Sequence, residues 1–202
     1  DYPSGIAFAA DGTWYLADQA NRRVRKVDGT TNVIDTVAGS GVQGFAGDGG
    51  PALGAQFDLP GGQVAEVAGR VCLSPDGRWL YVADTGNHRV RRIDPATRVI
   101  TAFAAATGPA GLAFGPGGVL YVAERDGQRV SRIDPTGAKT VVAGTGVRGG
   151  RGDGGAAASA QVDEPFDVVP APGGELFIVE SGVSGGIRHI DASGVIRTMR
   201  RR

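Results

Sequence analysis

The sequence lacks most of the features that would indicate a disulfide-stabilised, membrane-spanning or strongly charged protein. Cys72 is the only cysteine, which excludes an internal disulfide and a cysteine cluster for a metal. No apolar run approaches the roughly 20 residues that span a bilayer. The 21 basic and 21 acidic residues cancel, so no overall charge attracts nucleic acid or an anionic membrane. A nucleic-acid partner is therefore unexpected, and no membrane contact is predicted.

Motifs that would carry catalysis are also absent from the sequence. His88 and His189 do not form a repeated ligand pair, and no His-Glu-x-x-His string or nucleophile elbow occurs. Two Gly-x-Gly-x-x-Gly strings, at 39–44 and 144–149, do not open a helix in a strand-helix-strand unit, so they do not indicate a dinucleotide site. Cys72 lies in an apolar strand and is predicted to be a core residue. No cofactor is expected from these patterns.

The sequence contains no initiator methionine and no recognisable signal peptide, since its one methionine is Met199. We therefore interpret it as a piece of a longer product or as a mature form. These features do not fix the compartment; an extracytoplasmic or secreted location is slightly favoured over the cytosol.

Glycine, by contrast, is abundant, and it punctuates a repeated pattern. The 35 glycines far exceed the usual share of about 7%. One strand-like segment occurs four times, at 14–18 (WYLAD), 80–84 (LYVAD), 120–124 (LYVAE) and 176–180 (LFIVE). Each copy follows an apolar strand and a glycine turn, and precedes a strand of alternating apolar and charged residues and then a fourth strand. Four antiparallel strands per unit are typical of a β-propeller blade.

The predicted fold is thus all-β, with four four-stranded antiparallel blades in a single propeller domain over residues 1–202. The blades cover approximately 3–38, 60–103, 109–143 and 165–199. Long loops at 39–59 and 144–164 join the first blade to the second and the third to the fourth. These two loops repeat each other, since Gly-Asp-Gly-Gly occurs at 47–50 and again at 152–155.

Three segments resemble the NHL-repeat family of β-propellers: 81–94 (YVADTGNHRVRRID), 17–24 (ADQANRRV) and 37–52 (VAGSGVQGFAGDGGPA). The last is similar to the loop between blades of bacterial NHL-repeat propellers. The resemblance implies a larger ring, most often of six blades, so missing blades or a second copy of the chain are expected to complete it. It also implies two kinds of function, because similar propellers include lactonases and lyases that hold a metal on the central axis.

In a propeller, the loops after the second strands lie on the same face as the loops that join the blades. The candidate binding residues are the acidic residues at the ends of the second strands and two neighbours of one of them: Asp18, Asp84, Glu124, Glu180, Asn87 and His88. The four carboxylates could bind a hard cation or a basic partner. The alternative is a set of local ion pairs over a spacing of five residues: Asp18 with Arg23, Asp84 with Arg89 and Glu124 with Arg129.

Asp48 and Asp153 are the candidate metal ligands of the glycine-rich loops. Backbone carbonyls could join each carboxylate around calcium, although calcium needs about six to eight oxygen ligands. The alternative is a structural role, as a helix cap or in a turn, with Asp48 near the start of a short helix that has Pro51 in its first position.

The sequence favours a non-catalytic scaffold that binds a protein partner through its loop face. The alternative is an enzyme of lactonase or lyase type with an axial metal. A third hypothesis is RNA binding, for which only Phe45 and three arginines, Arg22, Arg148 and Arg151, offer a basis.

Overall fold

The computed structural model describes residues 2–60, 70–183 and 185–199. The chain divides into two compact units, Asp1–Gly108 and Pro109–Arg202. The described residues of both units are almost entirely β-strand, turn and loop, with only short 3-10 turns at Ala52–Gly54, Pro116–Gly118 and Ala157–Ser159. No helix in the described part of the chain has the length and apolar character needed to cross a membrane.

The first unit contains two four-stranded antiparallel sheets. Blade 1 has the order β1-β2-β3-β4, and blade 2 has the order β5-β6-β7-β8. The strands are β1 (Pro3–Phe8), β2 (Trp14–Asp18), β3 (Arg23–Val27), β4 (Ile34–Ala38), β5 (Val71–Leu73), β6 (Leu80–Asp84), β7 (Arg89–Ile93) and β8 (Ile100–Ala105). The predicted start of blade 2, at residue 60, adjoins residues 61–69, which lie outside the described residues.

The second unit repeats this arrangement in blades 3 and 4, with the orders β9-β10-β11-β12 and β13-β14-β15-β16. Its strands are β9 (Pro109–Phe114), β10 (Leu120–Glu124), β11 (Arg129–Ile133), β12 (Lys139–Ala143), β13 (Pro165–Pro170), β14 (Leu176–Glu180), β15 (Ile187–Ile190) and β16 (Ile196–Met199). Four four-stranded antiparallel sheets were predicted from the repeat, and this prediction is confirmed. That the four form one domain stays a prediction.

Alternation along the strands places the core of each unit. In β6, Leu80 and Val82 are fully buried and belong to one apolar cluster with Tyr15 and Ala17 of blade 1. The long loop of the unit adds Phe57 to the same cluster. Cys72, predicted to be core, is only partly buried.

The second unit is built in the same way. Leu176 and Ile178 of β14 pack with Ala123 and Val130 of blade 3, and Val162 of the long loop completes the cluster. Each long loop therefore packs on the blade that follows it, and its apolar residues join the two sheets of its unit.

Candidate functional site

The four acidic residues at the ends of the second strands are buried: Asp18, Asp84, Glu124 and Glu180. A carboxylate that leaves water needs a partner, and each of the four has one. Asp18 binds Arg25 at 2.9 Å, and Glu124 accepts a hydrogen bond from Ser131 and binds Lys139 at 3.2 Å.

The predicted ion pairs over a spacing of five residues are wrong. Arg89 lies directly opposite Asp84 in the ladder of β6 and β7, but the partner of Asp84 is Arg91, at 3.5 Å. Arg91 is the diagonal neighbour of Asp84 on the same sheet face, and a long side chain spans that distance. Arg89 instead places its guanidinium 3.7 Å from the centre of the Phe45 ring.

The arginines that correspond to Arg89 in blades 1 and 3 hold the glycine-rich loops. Arg23 donates to the carbonyl oxygen of Ser40 at 3.3 Å, and Arg129 donates to that of Thr145 at 3.2 Å. Ser40 and Thr145 occupy the same place in the two loops, so this arginine has a repeated structural role.

The guanidinium of Arg91 is fully buried, and the long loop of blade 1 supplies most of its acceptors. Its Nη2 lies 2.9 Å from Asp48 Oδ1. Nη1 donates to the carbonyl oxygen of Gln56 at 2.7 Å, and Nη2 donates to that of Ala46 at 3.0 Å. Arg91 thus links the carboxylate of Asp84 on the strand to one carboxylate and two carbonyl oxygens of the loop. We call this arrangement an arginine socket.

Blade 4 contains a second arginine socket. Arg188 is also buried, with Nη2 at 2.7 Å from Asp153 Oδ1 and Nη1 at 3.7 Å from Glu180 Oε1. Nη1 also donates to the carbonyl oxygen of Gln161 at 3.1 Å. Both sockets fasten a long loop to the blade that follows it.

Asp48 and Asp153 therefore each form an ion pair with a buried arginine. Of the predicted cap or turn role of Asp48, the cap is wrong, whereas Asp48 does lie in a turn. The 3-10 turn at Ala52–Gly54 follows Pro51 and has no side-chain cap. Asp153 further accepts the backbone N–H of Thr198 at 3.1 Å. In the described part of the chain, no three or more His, Cys, Asp or Glu residues lie together as a metal site would require.

Burial and pairing shift the pKa of these acids in opposite directions. Desolvation raises the pKa of Asp84 and of Glu180, despite the arginine beside each. At Asp153 partial burial acts to raise the pKa, but hydrogen bonds from Thr198 and the charge of Arg188 lower it overall. The protein thus stabilises the ionised form of Asp153 and disfavours that of the more deeply buried Asp84 and Glu180.

Asn87 and His88 connect the turn between β6 and β7 to neighbouring backbone. The Asn87 amide donates to the carbonyl oxygen of Gly44 at 2.8 Å and to both oxygens of Asp84 at 3.0 and 2.9 Å. His88 has a left-handed φ of 52°, and its Nδ1 accepts the N–H of Gly108 at 3.0 Å. Asn87 thus ties the loop tip to the buried acid, while the imidazole of His88 stays exposed.

The exposed parts of this site are the loop tips, residues 41–45 in the first unit and 146–150 in the second. Val42 and Val147 occupy equivalent positions and are 55% and 56% exposed. Backbone hydrogen bonds hold the loop of the first unit at Gly39, Ser40 and Gly49, and equivalent bonds hold that of the second at Gly144, Thr145 and Gly154. A Cβ on Gly39 would lie 2.3 Å from the Arg22 carbonyl oxygen, so only glycine allows this approach.

The two loop tips differ in charge. Gln43 of the first tip binds Arg22 at 3.4 Å and Asp58 at 2.8 Å. Its counterpart in the second tip is Arg148, which binds Asp163 at 2.6 Å and Glu164 at 3.0 Å. Sequence reasoning found the loops and the acids but missed Arg91 and Arg188. The signal was available, because Arg91 follows Asp84 by seven positions and Arg188 follows Glu180 by eight, and an arginine stands at one of these two spacings after the acid in every blade.

Comparison with known proteins shows which families the sequence resembles. Residues 63–148 match the family described as SGL: SMP-30/Gluconolactonase/LRE-like region. The chain is 38% identical over 93 residues to the Arabidopsis thaliana protein SUPPRESSOR OF QUENCHING 1, chloroplastic, which covers 46% of this chain and 8% of that protein. It is 31% identical over 87 residues to human NHL repeat-containing protein 2, covering 43% of this chain and 11% of that protein. The chain thus spans a small part of these relatives.

Several solved structures share the fold of this chain although their sequence identity to it is low. Virginiamycin B lyase from Staphylococcus aureus matches with a TM-score of 0.64 at 16% identity, covering 98% of this chain and 55% of that one. A chain of a nidogen/laminin complex matches with 0.66 at 14%, covering 95% and 61%. An auxiliary nutrient binding protein from Bacteroides ovatus matches with 0.65 at 16%, covering 98% and 48%. The β-propeller fold and the resemblance to NHL-repeat propellers are confirmed; the bacterial subtype stays a prediction.

Proposed function

We propose that this NHL-type β-propeller chain is a non-catalytic binding module that holds a protein partner on its loop tips. The observation that carries the proposal is the pair of exposed valines, Val42 and Val147, on loops that hydrogen bonds hold in place. Apolar side chains on rigid loops bind with little loss of conformational freedom, because the loop is ordered before the partner arrives.

The surroundings of the valines suit a protein surface. Phe45 is 46% exposed, and the guanidinium of Arg89 covers its ring, so the first tip combines an apolar ring with a positive charge. Aromatic residues and arginine are enriched where protein interfaces gain most of their affinity. At the second tip, Arg148 lies beside Asp163 and Glu164. We therefore expect a partner that offers apolar side chains within a mixed polar rim.

The rival function is an enzyme of lactonase or lyase type, which the matched family description and the lyase structures favour. Such an enzyme needs acid, base or metal-ligand side chains that converge. His88 accepts a backbone N–H, and His189 stacks on Phe177 with its Nε2 3.5 Å from Glu175. Because lyases and binding proteins share this fold, the fold does not distinguish an enzyme from a binding module. The side chains of the site have to make that distinction.

The proposal is tested by affinity capture with matched valine variants. The wild-type chain, Val42→Asp and Val147→Asp are each used as bait in extract from the source cells, and bound proteins are quantified by mass spectrometry. Val33→Asp is the control, because Val33 is 54% exposed but lies just before β4 and not in a loop tip. We expect each tip variant to lose a bound protein that the wild-type chain and the control keep.

Two results would contradict this function. One is a set of captured proteins that does not change between the tip variants and the control. The other is multiple turnover of a lactone or a streptogramin by the purified chain, with and without added divalent metal, that His88→Ala or His189→Ala abolishes.

A further inference from the structure

Blade 3 contains a small cavity at the end of its sheet opposite to the loop tip of the second unit. We call it the blade 3 cavity. Its volume is about 170 Å³, and its lining residues all belong to blade 3: Val119, Arg132, Asp134, Ala138 and Thr140. Val119 directly precedes β10, and Asp134 and Ala138 lie between β11 and β12. The loop that carries the tip leaves the other end of β12, so the cavity and the tip are separate sites.

An aromatic side chain occupies the equivalent position in blade 2. Trp79 directly precedes β6, as Val119 precedes β10. Arg92 pairs with a tyrosine and a threonine of its neighbouring strands, and Arg132 has the same two kinds of partner. The guanidinium of Arg92 lies 4.4 Å from the centre of the Trp79 ring and 5.3 Å from that of Phe103. Blade 2 thus places an indole ring against its arginine, whereas blade 3 has the smaller valine there.

The polar groups of the blade 3 cavity have unused capacity for a ligand. The guanidinium of Arg132 is exposed and makes no hydrogen bond, ion pair or ring contact within the residues that the structure describes. Asp134 accepts three hydrogen bonds, from the N–H and hydroxyl of Thr136 and the N–H of Ala138, all through Oδ1. The hydroxyl of Thr136 and these N–H groups lower the pKa of Asp134. The carboxylate therefore stays ionised, and its Oδ2 can accept a further donor.

These features favour an aromatic ring that carries an N–H donor. A cavity of about 150 Å³ is large enough to hold benzene, so the blade 3 cavity has room for one aromatic side chain. A cation is attracted to the face of an indole more strongly than to the other aromatic side chains. The indole N–H is a hydrogen-bond donor that suits Asp134. The expected ligand is therefore a tryptophan side chain, the residue that blade 2 has at the equivalent position.

The strand beside the cavity, β12, is an outer edge strand of its sheet. In blade 2 the first residue of the edge strand binds the long loop, because Ile100 accepts from Gly49 and donates to Gly50. Ile196 binds the second long loop in the same way. Lys139 has this position in β12, but the connection from β8 to β9 is too short to form such a loop. Within the described residues of its unit, β12 pairs only with β11.

An unpaired edge strand beside a side-chain pocket is suited to an extended peptide. Backbone hydrogen bonds to the edge supply affinity, and the pocket supplies specificity. Lysine often protects such an edge, but the Lys139 ammonium lies 3.2 Å from Glu124 of its own blade. A peptide residue opposite Thr140 would share the sheet face of Thr140 and Arg132, because cross-strand partners lie on one face. Its side chain would therefore meet the cavity.

We propose that an extended segment of a partner protein pairs with β12 and inserts a tryptophan side chain into the blade 3 cavity. The indole ring packs on the guanidinium of Arg132, and its N–H donates to Asp134. Every residue of this site belongs to one blade of the second unit. The site lies outside the loop tips, so the proposal does not depend on the proposed function.

The test uses two ligands and the isotope-labelled chain, observed by NMR. One ligand is N-acetyl-tryptophanamide, and the other is an acetylated pentapeptide amide of sequence Thr-Val-Trp-Val-Thr. We expect both to shift the Arg132 Nε–H signal in a saturable way. The peptide should also shift the amide signals of Lys139 and Val141 on the outer edge of β12. It should bind about tenfold more tightly than the single amino acid, because backbone hydrogen bonds are added.

Matched ligand and chain variants make the test specific. N-acetyl-1-methyltryptophanamide lacks the indole N–H and should bind about fivefold more weakly, because the hydrogen bond to Asp134 is lost. Val119→Trp introduces the residue of blade 2, whose own indole should fill the cavity and weaken both ligands about tenfold or more. Arg132→Gln leaves the cavity open and should weaken both about threefold, because the cation is lost. Thermal unfolding shows whether each variant is folded, and Arg132→Gln decides the test if Val119→Trp is not.

Three results would overturn the proposal. The first is the absence of any shift of the Arg132 signal at millimolar concentrations of either ligand. The second is binding that the folded variants leave unchanged. The third is equal affinity for the peptide and the single amino acid, since the cavity would then be a site for a small aromatic molecule and not for a strand.

Discussion

Single residues decide how this chain tolerates charge inside its sheets. Arg91 is fully buried, yet its donors meet Asp48, Asp84 and two loop carbonyls. The buried charge of Arg91 is therefore tolerated while its partners are present. Removal of one partner leaves an uncompensated buried charge and strongly lowers the free energy of unfolding.

Replacement of Arg91 by alanine should strongly destabilise the protein. The change leaves the buried Asp84 without its cation, and loss of one partner of a buried ion pair costs about 3–5 kcal/mol. The measurement is the free energy of unfolding in urea. The control is Arg125→Ala, whose pair with Asp126 is exposed on both sides and is expected to contribute at most about 1 kcal/mol. Equal losses in the two variants would contradict the socket.

Asp191 gives a prediction about pH. Hydrogen bonds from Ser193 and from the N–H of Val195 lower the pKa of its carboxyl from 3.8 to about 2. Because the pKa is lower in the folded state, the group stabilises the fold above its unfolded pKa, and this stability is lost as the pH falls toward 2. An NMR titration of the Asp191 carboxyl carbon should give the low pKa. In Asp191→Asn the free energy of unfolding should fall less steeply as the pH is lowered. A titration near 3.8 would show that the turn does not hold the charge.

The strands could be predicted from the sequence, but the long loops only in part. The four-fold repeat, the alternation and the glycine turns determine the sheets, because each strand pairs with its neighbour in sequence. The partners of Asp48 and Asp153 could not be predicted in this way, since they lie in the next blade, 43 and 35 residues away. The predicted ion pairs are wrong because the residue five positions after the acid lies directly opposite it in the ladder, whereas in blade 2 the arginine that reaches the acid is the diagonal neighbour.

The loops should be more sensitive to a side chain at Gly39 than at Gly49. Both glycines have a positive φ, 95° and 81°, so alanine is strained at either. At Gly39 the new Cβ would also meet the Arg22 carbonyl oxygen at 2.3 Å, while nothing lies within 4 Å at Gly49. Gly49→Ala should cost about 1–2 kcal/mol, and Gly39→Ala clearly more. The free energies of unfolding of the two variants provide the measurement, and equal values would contradict the close approach.

On the scale of the whole molecule, the chain contains two units with the same arrangement of elements. Each unit consists of a blade, a glycine-rich loop and a second blade that receives the loop through an arginine socket. Sequence reasoning predicted this duplication and the propeller fold, but the same fold occurs in lyases and in binding proteins. The proposed function therefore rests on what the duplicated loops expose, and Val42 and Val147 are their shared apolar feature.

The most direct test of that claim is the affinity of the captured partner for the purified chain, measured by isothermal titration calorimetry. We predict saturable binding that the tip variant which lost the partner, Val42→Asp or Val147→Asp, weakens by tenfold or more, about 1.4 kcal/mol, and that Val33→Asp leaves unchanged. Equal affinity for the wild-type chain and both tip variants would contradict a binding surface at the loop tips.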